Sequence, residues 1–303
     1  MNFAFCTCVT SDYLGLAQAT FQSLNDTFKG EARYLSLVVD DNYTGSKYAG
    51  FEILDLNEID LDSYGEELLK VKEESLSSRF RWMLKPILLQ HLLKRFEAVF
   101  WVDPDLYFYN DISPVTQKLE SFDVILSPHW RSFNPFVNQN AFFNYFYHGL
   151  YNGGFIGVNR NTVDLLENWL EMMHWRLENN RELGILDDQG YLGLFPLMTE
   201  KSYIIKDRGH NIAAWNKQEC KRTLVDGQVL INKEHTVKFI HFVPDTIKNI
   251  LNGKDKLLRP HLRKYLEHML EIEPGMSQLR SYDVNLIKRK TRKALPLKAT
   301  TYP

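Results

Sequence analysis

The stretch Phe100-Trp101-Val102-Asp103-Pro104-Asp105 decides the reading of this chain. An apolar run, residues 96–102, has the composition of a buried strand and stops at once in two carboxylates separated by a proline. Proline suits a strand that is ending, because it cannot donate to a ladder. Working outward, residues 79–93 carry the pattern of a helix, capped by Ser77 or Ser78. Earlier come an apolar strand at 2–10, an amphipathic helix at 13–28, and short strands at 34–39 and 51–56. Residues 60–75 are acidic and suggest a surface helix. This β-α-β-α-β order predicts an α/β fold with a mostly parallel central sheet flanked by helices. Ligands of such sheets lie outside the carboxyl ends of the strands, which is where Asp103 and Asp105 stand.

Two carboxylates one residue apart suit a hard divalent cation, which takes oxygen ligands and shares them with substrate phosphates. A bare Asp-x-Asp is weak, and Asp60-Leu61-Asp62 is a second copy. That copy follows no buried strand and reads as a solvated pair. Three further signals lie downstream. Tyr151-Asn152-Gly153-Gly154-Phe155 enters an apolar strand at 153–158, where paired glycines admit a ligand close to the backbone. Asn152 both donates and accepts toward sugar hydroxyls; alone, the same residues make a tight turn. Asp187, Asp188 and Gln189 stand at the start of a short helix at 188–194 and serve either as caps or as sugar ligands. His241 sits in an apolar strand at 237–242, where a satisfied core histidine is the plain reading and a metal ligand the sharper one. Lys248 follows within reach of a leaving phosphate as a point charge. Between these signals, residues 130–151 are crowded with aromatic rings, which either pack a lid or stack on a sugar.

Bulk properties agree with an enzyme. The 303 residues are 44% apolar and 24% charged, ordinary for a globular domain. No run of 18 apolar residues occurs, and the opening Met1-Asn2-Phe3-Ala4-Phe5 has no basic leader. Cys6, Cys8 and Cys220 are too few for a zinc site and odd in number, which points to a reducing, cytoplasmic setting. Seven of the 36 Lys and Arg fall in residues 280–303, against one of the 38 Asp and Glu. The body is therefore acidic, which disfavours nucleic acid. The basic tail reads either as a frayed terminus or as a peripheral contact with an anionic membrane. The plausible boundary lies near 250, giving a catalytic domain at 1–250 and a helical extension with the tail at 251–303.

Taken in order, the signals resemble the GT-A glycosyltransferases, particularly the retaining galactosyl- and glucosyltransferases of glycosyltransferase family eight and their bacterial relatives. The resemblance runs from about residue 3 to about residue 248. It implies a GT-A nucleotide-diphospho-sugar transferase fold and transfer of a hexose from a nucleotide sugar, a UDP-sugar at family level, to a glycan or lipid-linked acceptor of the cell envelope. It implies Mn²⁺ or Mg²⁺ on Asp103, Asp105 and His241, and the nucleotide on Asp12 and Tyr13. It further implies the donor sugar near Asn152, Gly153 and Asp188, Gln189 at the face of the anomeric carbon, and Lys248 at the diphosphate. Gly209-His210-Asn211-Ile212-Ala213-Ala214-Trp215-Asn216 is similar to a segment near sugar and acceptor in the same relatives. Asp12-Tyr13 is spaced more tightly than the family's base-binding segment, and Val243-Pro244-Asp245 replaces a Gly-Pro turn. Retention is implied; inversion would need a carboxylate base, for which Asp187 or Asp188 is the candidate. The main alternative is an aspartyl-nucleophile phosphohydrolase, although Tyr107 stands where that class has Thr or Val. A nucleotidyltransferase would want glycines after the first strand, where Thr7-Cys8-Val9-Thr10-Ser11 has none. A non-catalytic sugar-nucleotide binder is the third reading.

Overall fold

The computed structural model describes residues 1–40, 48–59 and 78–273. The second Asp-x-Asp at 60–62, the acidic helix expected at 60–75 and the basic tail lie outside them. The strands are β1 (Phe3–Val9), β2 (Ala32–Val38), β3 (Glu52–Asp55), β4 (Ala98–Val102), β5 (Leu106–Phe108), β6 (Val124–Pro128), β7 (Tyr151–Asn159), β8 (Asn179–Asn180), β9 (Ile185–Leu186), β10 (Ser202–Ile204), β11 (Arg222–Val225), β12 (Gln228–Ile231), β13 (His235–Thr236) and β14 (Phe239–His241). The longer helices are α1 (Leu14–Thr27), α2 (Ser78–Leu93), α3 (Gln139–Tyr147), α4 (Val163–Trp175), α5 (Pro244–Leu251) and α6 (Arg259–Ile272).

Seven strands form one sheet in the order β10-β6-β7-β4-β1-β2-β3. Neighbours are parallel except at β7, which runs antiparallel to both β4 and β6. The sheet is thus mostly parallel, as the sequence predicts. Side chains alternate along β1. Ala4, Cys6 and Cys8 join a core with Leu84, Leu88 and Leu92 of α2 and Trp169 of α4. Phe3, Phe5 and Val9 join the opposite core with Leu14, Ala17 and Phe21 of α1. Burial on both faces explains why β1 and β4 read as continuous apolar runs. It also pushes the Cys8 thiol up to about 12 and Cys6 well above its ordinary value, so neither is a reactive thiolate.

The reversed strand β7 positions the site. Its register pairs Val102 with Phe155 and Pro128 with Tyr151. The amino end of β7 therefore lies at the carboxyl ends of β4 and β6, and Asn152, Gly153 and Gly154 arrive beside Asp103. The Asp103 N–H donates to the Gly154 carbonyl at 2.8 Å. After Asp105 the chain enters β5, which pairs antiparallel with β14, His241 opposite Leu106. That hairpin-like pairing carries His241 to the Asp pair from 136 residues away along the chain.

Helix α6 packs on the third core cluster, where Leu262, Tyr265 and Leu266 meet Leu16, Ala19 and Tyr107. Tyr265 stacks on Phe242 at 4.3 Å. His268 bridges Tyr107 Oη at 3.0 Å and Gln22 Oε1 at 2.8 Å. The small sheet β11-β12-β13 has no counterpart in the sequence reading, because its strands are short and half polar.

One glycine in the sheet is fixed by packing. A Cβ on Gly157 would lie 2.3 Å from the Phe100 ring, inside the aromatic stack of Phe5, Phe100 and Phe155. We expect Gly157→Ala to cost about 1–3 kcal/mol, as overpacked core substitutions do. A denaturant titration checks this, and an unchanged midpoint would show that the ring moves aside freely.

Candidate functional site

Three residues from two strand ends converge. Nε2 of His241 lies 2.9 Å from Asp105 Oδ1 and 3.7 Å from Asp103 Oδ2. Asp103, Asp105 and His241 each offer one ligand atom, and these atoms all lie within 4.8 Å of one another. The indole N–H of Trp101 donates to Asp103 Oδ1 at 2.7 Å, which leaves Oδ2 turned toward the histidine. Burial works to raise the Asp105 carboxyl, but the adjacent His241 imidazole outweighs it and holds Asp105 below its usual range. For His241 burial pulls down and the two carboxylates win, so its pKa lies above the usual value. Two carboxylates and an imidazole fit Mn²⁺ or Mg²⁺ by their donor types. The backbone around them is shaped to the same end. A Cβ on Gly154 would meet Asp103 Oδ2 and His241 Cε1 at 2.8 Å and Asn152 Oδ1 at 2.9 Å. Only glycine leaves that space open.

A second charged group adjoins the triad. Lys85, buried in α2, holds Asp188 at 2.7 Å, donates to the Gly153 carbonyl at 3.0 Å and lies 3.8 Å from Asp103 Oδ1. Its ammonium stands 5.1 Å above the Trp101 ring. Burial opposes the charge on Lys85, yet Asp188 and Asp103 outweigh it and raise its pKa. Burial also pushes the Asp188 carboxyl up, against the pull of Lys85. The sequence reading missed Lys85. A lone lysine in an apolar helix reads as a snorkelling surface residue, and no local spacing ties it to residues 103 and 188.

Gln189 meets Asn152 and Gly153, which lie within β7 and not in a turn. Gln189 Oε1 accepts from the Gly153 N–H at 3.3 Å and lies 3.5 Å from Asn152 Nδ2. The Asp188 carbonyl accepts from the Trp169 indole at 3.1 Å, anchoring the turn to α4. Asp187 takes a left-handed backbone, φ 48°, and its N–H donates to Glu178 O at 3.1 Å.

A cleft of about 550 Å³ opens beside the triad. Asp103, Asp105, His241, Lys85 and Trp101 line it together with Tyr13, Arg81, Trp82, Ile247, Tyr265 and Met269. Its size suits a nucleotide-sized ligand. Tyr13 is in the wall, with the Arg81 guanidinium 5.8 Å from its ring centre. Asp12 is exposed and accepts from Thr10 Oγ1 at 2.7 Å. Lys248 is exposed on α5, whose residue Ile247 faces the cleft. The lining bases are Arg81 and Lys85.

Fold and site together define a GT-A architecture with a carboxylate-imidazole centre at its sheet edge. The galactosyltransferase LgtC, solved with donor and acceptor sugar analogues, superimposes with a TM-score of 0.54 at 14% identity, covering 93% of this chain and 99% of its own. Two proteins of Bacillus subtilis (strain 168) are similar in sequence. The uncharacterized protein YfnF is 27% identical over 304 residues, 94% of this chain and 100% of YfnF. The uncharacterized protein YfnD is 27% identical over 188 residues, 58% of this chain and 57% of YfnD. No protein-family model matches the chain.

Breaking one side of a buried ion pair strands the other charge. Lys85→Met should therefore lower the unfolding free energy by about 3–5 kcal/mol. Adding Asp188→Asn to it should return part of that loss. A double variant no more stable than Lys85→Met alone would mean that the pair is not what Lys85 balances.

Proposed function

We propose that this protein is a metal-dependent hexosyltransferase that uses a nucleotide-diphosphate sugar, with UDP the expected carrier, and acts on a glycan or lipid-linked acceptor. The observation that carries this is the triad Asp103, Asp105 and His241 in the wall of a nucleotide-sized cleft, with Lys85 in the same wall and paired to Asp188. The shared fold with a galactosyltransferase supports it.

In this reading Asp103, Asp105 and His241 would hold Mn²⁺ or Mg²⁺, whose Lewis acidity would supply charge neutralisation at the diphosphate. Tyr13 stacks on the base, with Asp12 near the ribose, and Arg81 stands opposite. Asp188, pinned by Lys85, accepts from a sugar hydroxyl and is a positioning group. Gly153 and Asn152 shape the sugar's seat. Gln189 presents its amide at the anomeric carbon on the face opposite the leaving group. With retention, the leaving phosphate oxygen takes the proton of the acceptor hydroxyl as the new glycosidic bond forms. Inversion would require a base, and Asp187 is then the candidate, since Asp188 is committed to Lys85; the anomeric configuration of the product separates the two. Lys248 is proposed only to assist release of the diphosphate. We assign the catalytic machinery to 1–250, with the extension at 251–303 adding Tyr265 and Met269 to the cleft wall.

The cytoplasmic reading is supported by Cys6, Cys8 and Cys220 being free and buried. No helix among the described residues is long and apolar enough to cross a membrane. The basic tail, read as contact with an anionic leaflet, predicts weaker sedimentation with phosphatidylserine vesicles when 280–303 are deleted. Equal sedimentation would remove that contact.

The deciding measurement is thermal stabilisation by nucleoside diphosphates with and without Mn²⁺. UDP at 100 times its dissociation constant should add about 2.7 kcal/mol when metal is present. Asp105→Ala should abolish both this shift and sugar transfer. A protein that no diphosphate stabilises, or that hydrolyses p-nitrophenyl phosphate instead, would return the phosphohydrolase reading.

A further inference from the structure

Beyond the nucleotide cleft, one cation is buried without an answer. Arg131, three residues past the end of β6, is 7% exposed, and its Nε–H is buried without a hydrogen-bond partner among the described residues. The guanidinium lies over the face of Trp215, 5.8 Å from the ring centre. The Trp215 indole N–H is itself buried without an acceptor. Arginine and tryptophan side chains are donors only. Two donor N–H groups on neighbouring side chains, Arg131 Nε–H and the Trp215 indole N–H, are thus buried without an oxygen to receive them. Such orphan donors cost stability and call for an explanation.

The surroundings do not supply the acceptor. Glu219 accepts from the Phe133 N–H at 3.3 Å, but its carboxylate stands 3.9 Å from Arg208. Tyr145 donates its hydroxyl to the Arg131 backbone carbonyl at 2.6 Å, not to the guanidinium. The two neighbouring imidazoles carry no negative charge. Burial, then the Arg131 charge, depresses His129 well below its usual range; burial and the same charge take His148 to about 4.

The position is next to the reaction centre. Trp215 meets the ligand His241 edge to face at 5.4 Å and His129 at 5.8 Å. His129 Nε2 lies 3.5 Å from Asn152 Nδ2, at the proposed donor sugar. The Trp215 ring stands between Arg131 and the triad, and neither residue lines the nucleotide cleft. A diphosphate held at the triad therefore does not answer Arg131.

We propose that Arg131 and Trp215 form an anion subsite that recognises a carboxylate or phosphate carried by the acceptor. This rests on the glycosyltransferase reading for the word acceptor, while the subsite rests on the unpartnered donors. A guanidinium receives either oxyanion through paired N–H groups, so a uronic acid and a sugar phosphate are the two sources to separate.

The test is calorimetric binding to the full chain with UDP and Mn²⁺ present, using methyl β-D-glucuronide, glycerol 3-phosphate and the neutral methyl β-D-glucoside. At least one anionic probe should bind about tenfold more tightly than the glucoside, and the tighter of the two names the source. Arg131→Met should erase the preference and leave UDP–Mn²⁺ binding unchanged. Because the variant removes a buried unpaired charge, its ligand-free form should melt no lower than the native protein. A residue that merely packs Trp215 would show a lower melting temperature. Arg131→Lys, which keeps the charge, should retain part of the preference. Equal affinity for all three probes overturns the subsite. A preference for UDP-glucuronate over UDP-glucose that Arg131→Met abolishes moves the anion to the donor and overturns the acceptor assignment. Failure of UDP to bind with Mn²⁺ sinks the transferase reading itself, and an Arg131-dependent preference measured without UDP would then still stand as a bare anion site.

Discussion

The buried contact between Lys85 and Asp188 holds the reaction end of this molecule together. Asp103, Asp105 and Asp188 bring three carboxylates to one place, and like charges at such distances raise one another's cost of ionisation. Lys85 is the cation that all the closest geometry refers to: 2.7 Å from Asp188, 3.8 Å from Asp103 and hydrogen-bonded to the Gly153 carbonyl. Through it α2 is tied to the ends of β4 and β7 and to the turn before the short helix Gln189–Leu194. Its desolvation is costly, and two carboxylates, a carbonyl and the Trp101 ring offset it. A pair so enclosed does little for net stability compared with apolar packing; what it fixes is where Asp188 points.

Backbone direction does as much as charge. With β7 parallel to its neighbours, Asn152 and the paired glycines would lie at the opposite edge of the sheet, far from Asp103. Reversal of this one strand places its amino end among the carboxyl ends of the others. The close approach then demands glycine at 154, because two side-chain oxygens and a His241 ring carbon crowd the space a Cβ would take. His241 arrives by an analogous device, the pairing of β14 with β5, which needs Pro104 and Asp105 to turn the chain.

The sequence made the α/β class, the strand at 98–102 and its terminal Asp pair legible, because a doubly buried strand leaves a run of apolar residues and its abrupt end leaves an unmistakable polar stop. The helices α1 and α2 were legible by their apolar spacing. The direction of β7 was not, since alternation carries no sign. Nor was the sheet of β11, β12 and β13, whose residues are mostly half-exposed. The triad was named from resemblance more than from residues: a histidine in an apolar strand has the same local signal whether it binds metal or fills a core. Lys85 and Arg131 escaped for one shared reason. Their partners, or lack of them, are set by contacts across the fold, and a charged residue in an apolar stretch looks exposed until the fold closes over it.

Those two buried cations show how unequal burial is as evidence. Lys85 and Arg131 are comparably enclosed, at 5% and 7% exposure. Lys85 is surrounded by oxygen and its pKa rises, so its account closes within the protein. Arg131 has a ring face and two depressed imidazoles, and burial brings its own pKa down to about 10. A fold under selection for stability alone would replace such a residue with an apolar one of similar volume. Its presence beside the proposed sugar site is the kind of local violation that marks function, and the proposed acceptor anion would be the missing partner.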